Sequence, residues 1–235
     1  MNQQSVKRAL AMNQWLTLTR QGLSGEFSSP ERILSPILFA VTLILILTFA
    51  LGEPDAAHAA ATTAAQVFVT TFFAVQLSYV RAFDNEEGDR VLDVLKTVPI
   101  SGIAWFLSKF CQVFIAGIAI AIPTVFVGCL LGNQLGTSFL ILSAATVLAL
   151  VGLSSIGVLL ATIFQRSTAR GLVFPLLYFP LTVPVLLAAI EASKILMSGH
   201  PFAGDARNWA GLLVGFDVIY FVVGGLFFEE VIRAG

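Results

Sequence analysis

Six stretches of this sequence are apolar for long enough to cross a lipid bilayer, and that leaves the chain few other ways to fold. A span needs about 20 predominantly apolar residues, because a helix rises about 1.5 Å per residue through hydrocarbon about 30 Å thick. The runs lie at Ile33–Leu51, Thr62–Tyr79, Ile103–Leu131, Thr137–Phe164, Leu172–Ala192 and Trp209–Val231. Composition agrees: 57% of residues are hydrophobic and 11% are charged, against about 25% charged in soluble domains. The chain reads as an all-α integral membrane protein and a single domain, residues 1–235. The second run is the weakest, because Ala and Thr dominate its start. The third and fourth exceed a minimal span, which implies tilt, kinks or ends outside the bilayer. Pro123 is placed to kink the third. Pro175, Pro180 and Pro184 punctuate the fifth, so a broken or re-entrant segment stands beside a straight helix.

Residues 1–32 carry Lys7, Arg8, Arg20 and Arg32. No apolar core follows the early basic pair closely, so this is no secretory signal peptide. Val6, Ala9, Leu10, Met12, Leu16 and Leu23 are spaced for an interfacial helix, interrupted by Gly22, Gly25 and Pro30. Basic residues then orient the spans. Arg81, Arg90, Lys96 and Lys109 surround the second connection, Arg166 and Arg170 form the fourth, and Arg233 follows the last span. The opposite side has only Lys194 and Arg207. Both termini are therefore expected in the cytoplasm, with the loops Gly52–Ala61, Gly132–Gly136 and Ser193–Asn208 facing outward. All connections are short and leave no room for a soluble domain.

The connection after the second span is the most distinctive polar stretch. RAFDNEEGDRVLDVLKTVPIS, residues 81–101, holds Asp84, Glu86, Glu87, Asp89 and Asp93. Val91, Leu92, Val94, Leu95 and Val98 follow at helical spacing, and Pro99 ends the pattern. Such an amphipathic segment can lie in the lipid interface or dock into a groove on a soluble partner. The acidic lead-in disfavours an anionic lipid surface and favours the protein partner.

No catalytic constellation stands out. There is no G-x-x-x-x-G-K-[ST] phosphate loop, so the chain is not expected to hydrolyse a nucleotide alone. Neither a Ser-His-Asp nor a Cys-His set is visible, and the acidic cluster lacks calcium-loop spacing. A net charge of −1 gives no reason to expect a nucleic-acid partner. Cys111 and Cys129 would lie about 27 Å apart on a straight helix, too far for a disulfide or shared metal. His58 and His200 fall in outward loops; exposed loop histidines are the plainer reading than ligands to a metal or haem iron. Asp217 is more pointed, because it lies inside the last span. A carboxyl there costs about 2.5–3.5 kcal/mol on insertion scales and should face protein or water. It can serve as a substrate or proton contact, or as a structural hydrogen bond between helices. Glu191, at the outer end of the fifth span, poses the same choice in an interfacial setting. Gly152, Ser154, Ser155 and Gly157, with Gly224–Gly225, allow close helix approach. Trp209 suits an interface anchor and Tyr220 an intramembrane contact.

Three strings resemble a known family. They are FDNEEGDRVLDVLKTVPIS (residues 83–101), FPLTVPVLLAAIEAS (179–193) and LLVGFDVIYFVVGGLFFEEVI (212–232). Together with six spans in the deduced orientation they resemble the CcmB-type ABC transporter permease, the B subunit of the haem exporter of cytochrome c maturation. The resemblance covers nearly the whole chain and is weakest over residues 1–80. One departure is local: Arg90 stands where the family has Gly, with Gly88 nearby instead, which leaves that turn open.

The resemblance implies a permease without enzymatic activity in the bacterial inner membrane, paired with a separate cytoplasmic ATPase. The segment 84–99 would be its coupling helix, with Phe83, Asp84, Glu86, Glu87, Val91, Leu92, Asp93, Leu95 and Pro99 at the ATPase contact. ATP would act through that partner, and haem would be handled by the complex with no cofactor held by this chain alone. A haem-handling membrane protein and, indirectly, a periplasmic haem chaperone would be further partners, alongside membrane lipid. No axial ligand pair occurs in the spans, which favours a mechanical role over a haem conduit. The alternatives are an ABC permease for a lipid, drug or polysaccharide, a proton-coupled secondary transporter using Asp217, and a structural membrane scaffold.

Overall fold

The computed structural model of this 235-residue chain describes residues 19–20, 22–23, 30–52, 54–55, 57–82, 102–164 and 170–234. Six long helices follow one another: α1 (Pro30–Leu51), α2 (Ala59–Ala82), α3 (Gly102–Leu131), α4 (Thr137–Ile163), α5 (Arg170–Met197) and α6 (Asp205–Ala234). Each is long and apolar enough to cross a membrane, and no strand occurs among the described residues. In hydrocarbon only a helix satisfies all backbone groups within its own segment, so the apolar runs become helices. The expected interfacial helix falls mostly outside the described residues. Within them, residues 19–20 and 22–23 are helical, and Gly22 lies against the Gln112 side chain of α3. Pro30 opens α1, where its missing N–H costs nothing.

The bundle is built around α4, which touches α2, α3, α5 and α6. By contrast, α1 packs on α2 and α3 and turns much of its surface outward. Despite being the least apolar of the six, α2 is the most enclosed. Its Thr63, Gln66, Thr70, Thr71, Gln76 and Ser78 are all buried. Small residues permit this. A side chain at Gly128 of α3 would place its Cβ 2.4 Å from Val67 Cγ2 and 2.8 Å from Ile44 Cδ1, so α1, α2 and α3 meet at that glycine.

Of the two forms left open for the fifth span, the structure has the continuous one. α5 is one continuous helix through Pro175, Pro180 and Pro184. Hydroxyls serve the turns around these prolines: Thr182 Oγ1 donates to the carbonyls of Tyr178 (2.9 Å) and Phe179 (3.0 Å), and Tyr220 OH to that of Leu181 (2.6 Å). These bonds tie the proline-containing stretch to its own helix and to α6. Pro123 likewise leaves α3 unbroken, with Thr124 Oγ1 donating to the Ile120 carbonyl (2.8 Å).

Two of the connections are shorter than the apolar runs suggested, while the one over residues 132–136 keeps its expected length. The loop expected over Ser193–Asn208 narrows to residues 198–204, because α5 continues to Met197 and α6 begins at Asp205. Loss of hydrophobicity at Ala192 marks the end of the bilayer core, not of the helix, which water at the interface does not interrupt. Gly199, with φ 82°, ends α5: its N–H donates to Leu196 O (3.1 Å) and that of His200 to Ile195 O (3.3 Å). This is a Schellman closure. Asn133, with φ 51°, closes α3 in the same way.

Candidate functional site

Asp217 sits at the centre of the membrane domain. It faces Gly152 near the middle of α4, and a Cβ at Gly152 would lie 2.4 Å from Asp217 Oδ1. The carboxyl therefore occupies space that only a glycine leaves free. Its position is near the middle of α6. The side chain is 4% exposed, and neither oxygen has a hydrogen-bond partner among the described residues. A buried carboxyl without a donor is an expensive group in an apolar layer, and such residues mark functional positions in membrane helices more often than packing ones.

Beside Asp217 runs a groove of about 430 Å³ between α3, α4 and α6. Phe110, Phe114, Leu148, Val151, Val218 and Phe221 are among its walls. The aromatic side of the groove follows from helical spacing. Phe106, Phe110 and Phe114 recur every fourth residue on α3 and stack on one another, with centroids 6.3 Å and 5.5 Å apart. Phe221 of α6 meets Phe110 edge-on at 5.1 Å. Further along the seam Gly224 lets Phe106 approach, since a Cβ there would come within 2.7 Å of the ring. The close approach expected of Gly152, Gly157 and Gly224 is thus realised against Asp217, Tyr79 and Phe106 respectively.

A second polar cluster went unnoticed in the sequence. Tyr79 of α2 and Tyr178 of α5 are both fully buried, with rings edge-to-face at 5.8 Å. Tyr79 OH and Ser154 Oγ of α4 are 3.2 Å apart, and Tyr178 OH donates to the Leu153 carbonyl at 3.3 Å. Gly157 leaves the slot that Tyr79 fills. Phe72, stacked on Tyr178 at 5.5 Å, extends this cluster along α2. Its signal was slight: a Tyr at each of two span positions, facing a Gly/Ser stripe.

The other candidates separate from this centre. Glu191 pairs with Lys194 one turn later on α5, both partly exposed, so it has a local structural partner. His200 completes the Schellman closure of α5, and His58 begins α2 by accepting from the Thr62 N–H (2.9 Å). No group of three His, Cys, Asp or Glu that could hold a metal occurs among the described residues. Cys111 and Cys129 are free thiols on α3. Tyr220 makes the intramembrane contact expected of it. Phe83, Asp84, Glu86, Glu87, Val91, Leu92, Asp93, Leu95 and Pro99 all lie outside the described residues, which resume at Gly102. Lys109, counted from sequence among the basic residues flanking the membrane, is buried at 6% exposure on α3.

Comparison with known proteins agrees with this architecture. The chain is similar to "Heme exporter protein B" of Bradyrhizobium diazoefficiens, with 29% identity over 193 residues, 80% of this chain and 83% of that protein. The profile of the CcmB protein family matches residues 13–234, which takes in all six helices, the acidic amphipathic segment and Asp217. A match of that extent establishes that this membrane protein belongs to the CcmB family.

Proposed function

We propose that this chain is the membrane permease subunit of an ABC-type haem exporter that serves cytochrome c maturation. The observation that carries this reading is the family match over residues 13–234, supported by the haem-exporter relative. The sequence itself has no phosphate-binding loop, so ATP is hydrolysed on a separate cytoplasmic subunit. The segment 84–99 is the coupling helix seated in that subunit, with Val91, Leu92 and Leu95 as its apolar contact. Closure of the ATPases pushes this segment and re-packs α2 and α3, the helices it joins, as a rigid-body switch. The complex includes a haem-handling membrane protein and delivers haem to a periplasmic chaperone. The chain lies in the bacterial inner membrane with the 84–99 segment in the cytoplasm, as the basic residues of that side require.

The experiment is a gentle-detergent pull-down of the tagged chain, with haem absorbance and ATPase activity recorded on the eluate. An ATPase and a haem-containing membrane protein are expected together. An ATPase without haem partners replaces haem by a lipid, drug or polysaccharide as cargo. Leu92→Asp and Leu95→Asp place a charge on the contact face, and we expect each to lower ATPase recovery at least tenfold while the chain stays in the membrane. Normal recovery with normal ATP-dependent function refutes the coupling assignment.

A second reading is favoured by one observation, the buried and unpartnered Asp217 carboxyl. In it Asp217 contacts a proton or substrate during transport, and the activity persists without any ATPase.

A further inference from the structure

A second groove lies between α1 and α2, at the end of the bundle that carries their short connection. It encloses about 380 Å³, the small end of the range for ligand pockets. Leu47, Leu51, Ala65 and Val69 give it apolar walls, and Thr62 and Gln66 are the lining residues with polar side chains. Gln66 is 7% exposed and lines the groove, so its amide is a polar group set into an otherwise apolar wall. His58 stands one turn before Thr62, as the Thr62 N–H to His58 carbonyl bond fixes (2.9 Å). His58, Thr62 and Gln66 therefore follow at i, i+4 spacing on the side of α2 that lines the groove. His58 is exposed at the rim, and no acidic side chain lines the groove.

That arrangement selects a particular chemistry. A hydroxyl and a primary amide can both donate to one oxygen acid, and bonds to an ionised acceptor are the stronger kind. The remaining wall accepts only hydrocarbon. We propose that this groove holds the carboxylate end of a hydrophobic acid that enters from the membrane surface next to the α1–α2 connection. Two sources share the chemistry: the propionate edge of haem and a long-chain fatty acid. A pocket of this volume admits a porphyrin by an edge and an acyl chain along its length. Recognition runs through the carboxylate and needs no iron ligand. The choice of haem as a probe rests on the function proposed above; the site does not.

The test uses the full chain in phosphatidylcholine nanodiscs, with binding followed by quenching of Trp15, Trp105 and Trp209. The probes are haemin, haemin dimethyl ester and palmitate, the last as a competitor. Haemin is expected to bind at least tenfold more tightly than its ester, and Gln66→Leu and Thr62→Val are each expected to shrink that ratio at least threefold. Leu47→Trp, which fills the groove from α1, is expected to abolish the preference with α2 intact. Displacement of haemin by equimolar palmitate assigns the site to fatty acids; haemin held against excess palmitate assigns it to the porphyrin. Equal binding of haemin and its ester overturns the proposal, as does a preference unchanged in all three variants. If the ATPase and haem-handling partner co-purify while no acid binds, this inference falls and the exporter assignment stands.

Discussion

At the scale of single residues, the bundle is held by large side chains set against missing ones. Asp217 meets Gly152, Tyr79 meets Gly157 and Phe106 meets Gly224. Gly157→Leu would force atoms into the Tyr79 ring, where even a Cβ comes within 2.7 Å. Overpacking of this sort costs about 1–3 kcal/mol, and we expect a lower melting midpoint in detergent. Asp217→Asn keeps the shape and removes the ionisable group. It is expected to accumulate in the membrane at wild-type level, because an amide of the same shape fits the space that Gly152 leaves. Its disappearance from the membrane would return Asp217 to a structural role. The sequence made Asp217, Gly152, Gly157 and Gly224 recognisable as unusual, because an acid and a glycine stripe are conspicuous among aliphatic residues. Which glycine faces which side chain was beyond it, since the partners come from helices far apart in the chain. Tyr79 and Tyr178 escaped notice for the same reason: their hydroxyls are satisfied on α4, and nothing local announces it.

Among the elements, α5 is the instructive one. Three prolines in one span left a break and a straight helix both open; the helix is continuous, and Thr182 and Tyr220 give hydroxyls to carbonyls near the prolines. Tyr220→Phe removes one of those bonds and is expected to destabilise the fold by about 0.5–1.5 kcal/mol, with faster amide exchange confined to the turns around Pro184. Exchange unchanged in that region would show that α5 does not depend on α6 for its continuity. The other helices were legible nearly to their ends, since bilayer-length apolar runs admit one solution. Their extensions, such as α5 to Met197, were not, because a helix leaving the hydrocarbon becomes polar without ceasing to be a helix.

For the molecule as a whole, six helices long enough to cross a membrane would return the chain to the side from which it started, and the charge asymmetry predicts that side to be the cytoplasm. With Cys111 and Cys129 replaced by Ala, Ser198→Cys is expected to react with a membrane-impermeant maleimide from outside intact spheroplasts, whereas Arg166→Cys reacts only after permeabilisation. The opposite pattern would invert the orientation and move the 84–99 segment away from any cytoplasmic ATPase. Spans and their order were legible because hydrophobicity is summed over long windows. The proposed contact with an ATPase was legible only as a pattern at Val91, Leu92 and Leu95, because a contact surface shows half of itself in one chain. The unequal enclosure of α1 and α2 bears on how the protein is made. The strongly apolar, outward-facing α1 can partition into lipid as soon as it leaves the translocon. With its buried Thr70, Thr71 and Gln76, α2 gains little from lipid and much from its neighbours. Its stable insertion therefore waits for α3 and α4 to emerge, so α2 is committed to the membrane later than α1 although the two are adjacent in the chain.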